Sequence, residues 1–411
     1  MTKISPFKAI RPKRDKAHLV ATRPYYDYNK KVLKAKLKHN PYTFLHILNP
    51  KIDKKEKINI TPEERFKLIS KNYDDFIDKG ILIQDNEPHF YIYKQTNEKE
   101  EFIGIIGGAS LEDYQNNIIK KHEATIIKRE EIFKNYLNIV GYNAEPVLLC
   151  YQDSKYEIES LLKNKTKNRP EYEFITTDKL KHELWLFNTS ESKKLIKLFK
   201  SINSCYISDG HHRIASSLKL KEFRKKSKHN YPNEDFFLAF FINENRLKIS
   251  EFNRFIKKLN GLSKMNILSG LKTNFIVKKI SKAQKPTKEH EFTMFIDNEW
   301  FKIKCKENVV DENHPVNGLD TEILTQYILK PIFGISNLKT DTNIEFLSGN
   351  EDILITENKI KNNKYEVGFF MFPLNINQVK NVADKNMTMP PKSTWVEPKL
   401  RSGLTIYNIN E

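Results

Sequence analysis

A chain of 411 residues with 39% hydrophobic and 11% aromatic content is long enough to bury more than one core, and its length suggests two or three domains or lobes. The 70 Lys and Arg against 52 Asp and Glu give a formal net charge of +18, which points away from cationic partners and admits a phosphate-bearing or nucleic-acid one. No stretch approaches the roughly 18 apolar residues of a membrane-spanning helix, Met1–Phe7 lacks the apolar run of a secretory signal, and Cys150, Cys205 and Cys305 are too scattered for a disulfide framework or a zinc site. The expectation is a cytoplasmic protein with free thiols.

In chain order, Ile4 to Asp27 is rich in Pro and Arg, with Arg11-Pro12 and Arg23-Pro24-Tyr25-Tyr26-Asp27. Proline favours an extended arm there over regular structure. Asn40 to Ile47 reads as a turn into a strand. Thr61-Pro62-Glu63-Glu64 has the capping-box pattern with Pro at the first helical position, predicting a helix to about Asp78 that Gly80 ends. His89–Tyr93 and Phe102–Ile106 read as an antiparallel hairpin. Ile118 to Val140 reads as one long helix, because Ile119, Ile126, Ile127, Phe133, Leu137 and Val140 fall near one face. His122 and Glu123 would lie on it; Glu123 is either a general base near a basic cluster or a solvated charge. Pro146–Tyr151 follows as a buried strand, then a helix near Tyr156–Leu162, strands at Tyr172–Thr176 and Glu183–Phe187, and a helix over Ser192–Ile202.

The densest stretch is Cys205-Tyr206-Ile207-Ser208-Asp209-Gly210-His211-His212-Arg213. An apolar run, a turn and an amphipathic run predict strand, tight turn and helix. Gly210 supplies the turn, since it lacks a Cβ and can take a positive φ. The helix start turns backbone N–H groups and about half a positive charge toward the turn, a ready site for phosphate. His211, His212 and Arg213 surround that point and Asp209 precedes it. The plainer alternative is a common Asp-Gly turn with a surface arginine.

The basic runs Lys163 to Arg169 and Lys221 to Lys228 read as solvated loops or faces. The lysine excess is dispersed, whereas a nucleic-acid footprint would be a concentrated stripe with interleaved aromatics. Phe236–Ile242 is a buried strand. The character changes near Ser250, dividing the chain into lobes 1–250 and 251–411. Glu251–Phe255, with Arg254, reads as opening a helix. Asp320 reads as the N-cap of a helix ending near Gly334, and strands are expected near Asp352–Thr356 and Glu366–Phe372. Met389 to Gly403 carries Lys392, Ser393, Thr394, Lys399 and Arg401 on a proline-shaped backbone, the composition of an anion-binding loop or of a terminal loop. Neither a phosphate-binding Walker loop nor a dinucleotide fingerprint nor a serine nucleophile elbow occurs.

Phosphoryl transfer needs positioning and charge neutralisation more than covalent chemistry. The turn offers helix N–H groups, His212 and Arg213. Asp209 or Glu123 could hold Mg²⁺ or take a hydroxyl proton, one carboxylate sufficing for Mg²⁺ when substrate phosphates share the ion. Lys392 and Lys399 could neutralise further charge. His211, His212, His122 and Glu123 are also transition-metal ligand types, but they lack the spacing of a metal-binding helix.

These stretches, with Phe7 to Pro12, Tyr25-Tyr26-Asp27, Asn40-Pro41…Phe44-Leu45-His46, His122-Glu123-Ala124-Thr125…Lys128 and Met389-Pro390-Pro391-Lys392-Ser393-Thr394…Pro398-Lys399…Ser402-Gly403, resemble the bacterial and archaeal family known as domain of unknown function 1015 over nearly the whole chain. The resemblance implies kinship with free L-serine kinases, which make O-phospho-L-serine from a nucleotide. The Asp-Gly-x-His-Arg core is also similar to the phosphate motif of ParB, sulfiredoxin and archaeal ADP-dependent serine kinases. Carried over, Gly210, His211, His212 and Arg213 would bind nucleotide phosphate with Lys392, Ser393 and Thr394. Asp209 would act near the acceptor hydroxyl or metal, with Glu123 as a second catalytic candidate, and Asp27, His122, Arg254 and Lys399 would face the substrate. Where the family usually has Pro-Pro-Tyr-Asp and His-Arg, this chain has Pro24-Tyr25-Tyr26-Asp27 and Asn253-Arg254.

The expectation is therefore an α+β protein with mixed sheets and flanking helices. Its N-terminal lobe would be ParB/sulfiredoxin-like, and a C-terminal lobe would return its last loop to the site. The leading function is a kinase using ATP or ADP and Mg²⁺ on a small amino acid, free L-serine. The alternatives are a ParB-like nucleotide-gated nucleic-acid binder and a metal-dependent phosphohydrolase.

Overall fold

Phe236–Asn243, the most apolar run of the chain, lies inside a nine-stranded sheet, pairing antiparallel with Glu101–Ser110 and parallel with Val147–Tyr151. Continuous apolar sequence suits a strand covered on both faces. Its partner strand makes room with glycine: a Cβ on Gly104 would stand 2.4 Å from the Phe241 carbonyl oxygen and 2.5 Å from the Phe240 ring. The computed structural model describes residues 1–50, 60–225, 231–362 and 364–411, so the last part of the basic run Lys221 to Lys228 lies outside the described residues.

The chain forms an α+β structure of two units. The first comprises Met1–Lys120, Thr125–Leu247 and Pro398–Glu411; the second comprises Lys121–Ala124 and Lys248–Glu397.

In the first unit the strand order is Ile119–Lys120, Cys205–Asp209, Val147–Tyr151, Phe236–Asn243, Glu101–Ser110, Tyr91–Thr96, Lys181–Leu186 and Tyr172–Ile175, with Ile4–Ser5 also on Glu101–Ser110. Its core gathers Phe90, Ile105, Leu149, Trp185, Phe199, Ile207, Ile214 and Phe241. The expected hairpin is present as Tyr91–Thr96 against Glu101–Ser110. The helix Pro62–Asp78 starts at Thr61, whose side chain accepts from Glu64 N while the Glu64 carboxylate accepts from Thr61 N, and Gly80 follows its end at φ +61°. The C-terminal segment is sewn in by backbone pairing: Tyr407–Asn408 with Tyr142–Asn143, and single bridges Ile10 to Ile406 and Thr22 to Ser402.

Three expectations for this part of the chain change. The helix expected from Ile118 begins only at Ile127, running Ile127–Val140. Ile119 is drawn instead into a short parallel strand beside Cys205 and buried in the core, so His122 and Glu123 lie in a loop. Asn40–Ile47 ends in the helical turn Leu45–Leu48 rather than a strand, its Leu45 and Ile47 fully buried. The Pro- and Arg-rich arm holds short helical turns at Ala17–Val20 and Tyr25–Asp27, and a helix Lys30–His39 follows, capped by Asn29.

The second unit is built on a six-stranded sheet ordered Phe275–Ile280, Glu299–Cys305, Glu291–Ile296, Val367–Phe370, Phe252–Ile256, Ile344–Ser348, antiparallel throughout. Phe252–Ile256 is thus a strand and not the start of a helix. Both of its faces are covered: Ile256 packs with Leu271, Met294 and Phe369, and Phe255 with Trp300 and Phe370. Residues 353–361 form the helix Ile353–Lys361, capped by Asp352, in place of the expected strand. Asp320 is the first residue of its helix rather than the cap, because its carboxylate accepts from His290 N at 2.9 Å and faces His290 Nδ1 at 3.0 Å. That helical stretch passes through a π turn at Thr325–Leu329 and stops at Gly334, φ +68°. All three cysteines are buried free thiols, and among the described residues no helix is long and apolar enough to cross a membrane.

Candidate functional site

In the first unit the strand Cys205–Asp209 leads through Gly210 into the helix His211–Arg224. The strand's pairing with Val147–Tyr151 slips between Ile207 and Asp209, a bulge that re-aims the residue at the strand end. Gly210 takes φ +102°, in the region that side-chain-bearing residues rarely adopt. It also has no room to spare, since a Cβ there would sit 2.9 Å from Arg213 Nε. Glycine is therefore required by the turn, and a Cβ there would displace the guanidinium folded over it.

Arg213 is the hinge of the charge arrangement. Its Nη2 donates to Asp209 Oδ2 at 3.0 Å and its Nη1 to Glu145 Oε2 at 3.3 Å. Glu145 in turn accepts from the Ser402 hydroxyl at 2.8 Å. Asp209, Arg213 and Glu145 line a narrow cleft, with a cavity volume of only about 10 Å³, together with Pro24, Pro146, Leu148, Pro398, Lys399 and Leu400. Asp27, half-buried beside it, has its carboxyl pushed above the ordinary range, first by burial and then by the like charges of Glu145 and Asp209, against the pull of Lys399 and Arg23. The cleft thus alternates charges: three carboxylates, a guanidinium and an ammonium, with a helix start at one edge. Such a set can neutralise a polyanion, and it holds one carboxyl, Asp27, above its ordinary range.

The histidines of the turn differ. His211 is buried and His212 half-buried. His212 lies close enough to Glu130 to help hold that carboxyl low, after Thr125 and Lys219 have done so against the opposing effect of burial.

Lys399 is held by its neighbours. Gln95 Nε2 donates to the Lys399 carbonyl at 3.1 Å and to Tyr93 Oη at 3.0 Å, and Tyr93 Oη is 2.8 Å from His182 Nδ1. Arg401 Nη2 donates to Asp178 at 2.5 Å and to Thr176 Oγ1 at 3.2 Å, and Thr176 Oγ1 is 3.0 Å from His182 Nε2. This buried network, with the Thr22–Ser402 bridge, sets the backbone of the segment that carries Lys399.

Of the sequence-expected residues, Asp27, Asp209, Gly210, His211, His212, Arg213 and Lys399 belong to the first unit. His122, Glu123, Arg254, Lys392, Ser393 and Thr394 belong to the second. There, the His122 carbonyl accepts from Met389 N at 2.9 Å, and burial holds the His122 imidazole down at about 4. Ser393 is buried, its hydroxyl donating to the Pro390 carbonyl at 2.7 Å and to Thr321 Oγ1 at 3.2 Å. Lys392 lies over the Phe252 ring, 5.1 Å from its centroid. Glu145 and Gln95 were missed by sequence reasoning, and Ser402 entered only as part of the matched closing stretch. The one signal for Glu145 is a Glu-Pro pair set immediately before a buried strand.

A family model described as a protein of unknown function, DUF1015, matches residues 4–322. No curated protein matches. Among solved structures the chain is similar to a free serine kinase in complex with AMP, at 13% identity and TM-score 0.37, over 74% of this chain and 91% of that one. It is similar to SbnI with C-terminal truncation from Staphylococcus aureus at 11% identity and TM-score 0.39, over 74% and 87%. It is also similar to a conserved hypothetical protein from Pyrococcus furiosus at 12% identity and TM-score 0.36, over 75% and 96%.

Proposed function

The chain belongs to the DUF1015 family, and from the charge arrangement of its first unit we propose that it is a nucleotide-dependent phosphotransferase acting on a small hydroxyl compound, free L-serine in the first instance. The observation that carries the reading is the strand–Gly210–helix turn with Arg213 folded back between Asp209 and Glu145, in a cleft shared with Lys399. Phosphates of ATP or ADP rest at the helix start, where dipole and backbone donors favour negative charge. Arg213 and Lys399 neutralise charge as it builds on the transferring group. His212 completes the phosphate side.

Transfer needs one bond made and one broken. The acceptor hydroxyl oxygen attacks the terminal phosphorus, the bond from that phosphorus to the bridging oxygen breaks, and a carboxylate takes the hydroxyl proton. Asp209 is our first choice for that carboxylate. Asp27 supplies a second carboxyl on the acceptor side. Carboxylate oxygen is the donor type that Mg²⁺ takes, and Asp209 would hold the ion together with the nucleotide phosphates, where it would offset phosphate charge. Among the described residues no group of three or more His, Cys, Asp and Glu side chains is arranged to hold a metal by itself, which suits an ion delivered with the nucleotide.

The test is incubation of the purified protein with L-serine, Mg²⁺ and either ATP or ADP, with detection of O-phosphoserine. Product formation with one donor is the expected result. Absence of product with both donors, across a panel of hydroxyl-bearing amino acids, overturns the reading.

A further inference from the structure

Arg254 sits at the middle of the strand Phe252–Ile256 in the second unit and is 0% exposed. An arginine, even one made less basic by burial, is charged at neutral pH. Burial lowers its proton affinity to about 9, and no neighbouring charge contributes. Among the described residues only Nη1 is engaged, donating to the Phe252 carbonyl. Among the described residues Nε and Nη2 have no hydrogen-bond partner, and no carboxylate pairs with the guanidinium. Its surroundings are aromatic: Phe346 and Phe369 stand directly across from it on the two neighbouring strands, and its Cζ is 5.1 Å from the Phe346 ring centroid.

A buried charge left uncompensated is among the costliest features a fold can carry, and native structures retain one where something of opposite charge meets it. Geometry limits what that can be. Nε–H and Nη2–H lie on one edge of the guanidinium and point the same way, forming the fork that receives the two oxygens of a planar carboxylate side-on. Charge limits it further. One buried cation against a phenyl ring matches a monoanion, whereas a phosphate dianion would bring a second charge into the same apolar space.

We infer that Arg254 anchors a buried site for the carboxylate of a small organic acid or amino acid, bound side-on through Nε and Nη2 within the second unit. The loop that carries Lys392 and Trp395 reaches this face at Phe252, two residues along the strand, where Trp395 packs at 5.5 Å between ring centroids.

The experiment is calorimetric titration of the full-length protein, without nucleotide and in halide-free buffer, with sodium acetate, L-serine and inorganic phosphate in turn, accompanied by thermal melts. Saturable binding of acetate or L-serine with a rise in Tm is expected, with phosphate weaker. Arg254→Lys keeps the charge and loses the fork, so affinity should fall at least tenfold. Arg254→Met should melt higher than the ligand-free parent, because an unpaired buried charge is gone, and should not respond to either carboxylate. No saturable binding of acetate or L-serine to the parent overturns the site. So does equal binding by Arg254→Lys, or phosphate binding more tightly than acetate. If Arg254→Met does not fold, the parent and Arg254→Lys titrations decide. No nucleotide is present, so this result is separate from that of the phosphotransfer assay.

Discussion

Gly210 and Arg213 occupy space that a single methyl group would contest. Gly210→Ala imposes φ +102° on a residue with a Cβ and sets that carbon 2.9 Å from Arg213 Nε, so either the turn or the guanidinium must move. The expected outcome is about 1–2 kcal/mol lost in chemical denaturation and a nucleotide affinity reduced by roughly tenfold or more, about 1.4 kcal/mol per factor of ten. Asp209→Asn separates shape from charge: nucleotide titration should show binding retained, and a product assay should show transfer largely lost. Unchanged turnover would move the proton acceptor elsewhere, with Asp27 next. Asp209, Gly210, His212 and Arg213 could be read directly from the sequence because they are consecutive and the turn that joins them is local. Glu145 could not, since its bond to Arg213 spans 68 residues and only the pairing of two strands brings them together.

At the scale of elements, local signals succeeded where the backbone decides its own conformation. The capping box at Thr61 and Glu64, the left-handed Gly80 and the hairpin of Tyr91–Thr96 with Glu101–Ser110 all stand where the residues place them. Periodicity failed where burial on two sides erased it, as in Phe252–Ile256, every residue of which is buried. The sheet of the first unit also carries a pH dependence. His182 is fully buried, set between Tyr93 and Thr176, and its imidazole is held down at about 3, chiefly by burial with Arg401 adding to it. A histidine whose folded value lies below its unfolded one contributes stability above the ordinary histidine range. That stability is lost as pH falls through about 6.5 toward 3, because the unfolded chain binds the proton first. Melts of the parent should therefore lose up to about 1.4 kcal/mol per pH unit from this residue on acidification, and His182→Gln should flatten that part of the curve. An unchanged slope would mean that His182 does not titrate on unfolding.

At the scale of the whole molecule, the +18 charge is a statement about partners and not about fold. Many of the cations are committed within the chain, such as Arg11 to Asp85, Lys219 to Glu130 and Arg224 to Glu234. Duplex DNA titrated at rising salt should bind weakly, without sequence preference, and release by physiological ionic strength. A steep salt slope, corresponding to six or more phosphates, would favour a nucleic-acid partner instead.

The amino-acid sequence alone determined the α+β character, the turn from Asp209 to Arg213 and the family, because each rests on short-range backbone preferences or on residues adjacent in the chain. Tertiary structure alone decided which carboxylates meet Arg213, how Gln95 and Ser402 brace the segment bearing Lys399, and that Arg254 is a buried cation in a strand rather than a residue on a helix. Those outcomes depend on strand register and on the burial of both faces of a sheet, and neither is written in any local run of residues. The Asp209–Arg213 turn was legible before the fold was known; the charges gathered around it come from distant parts of the chain.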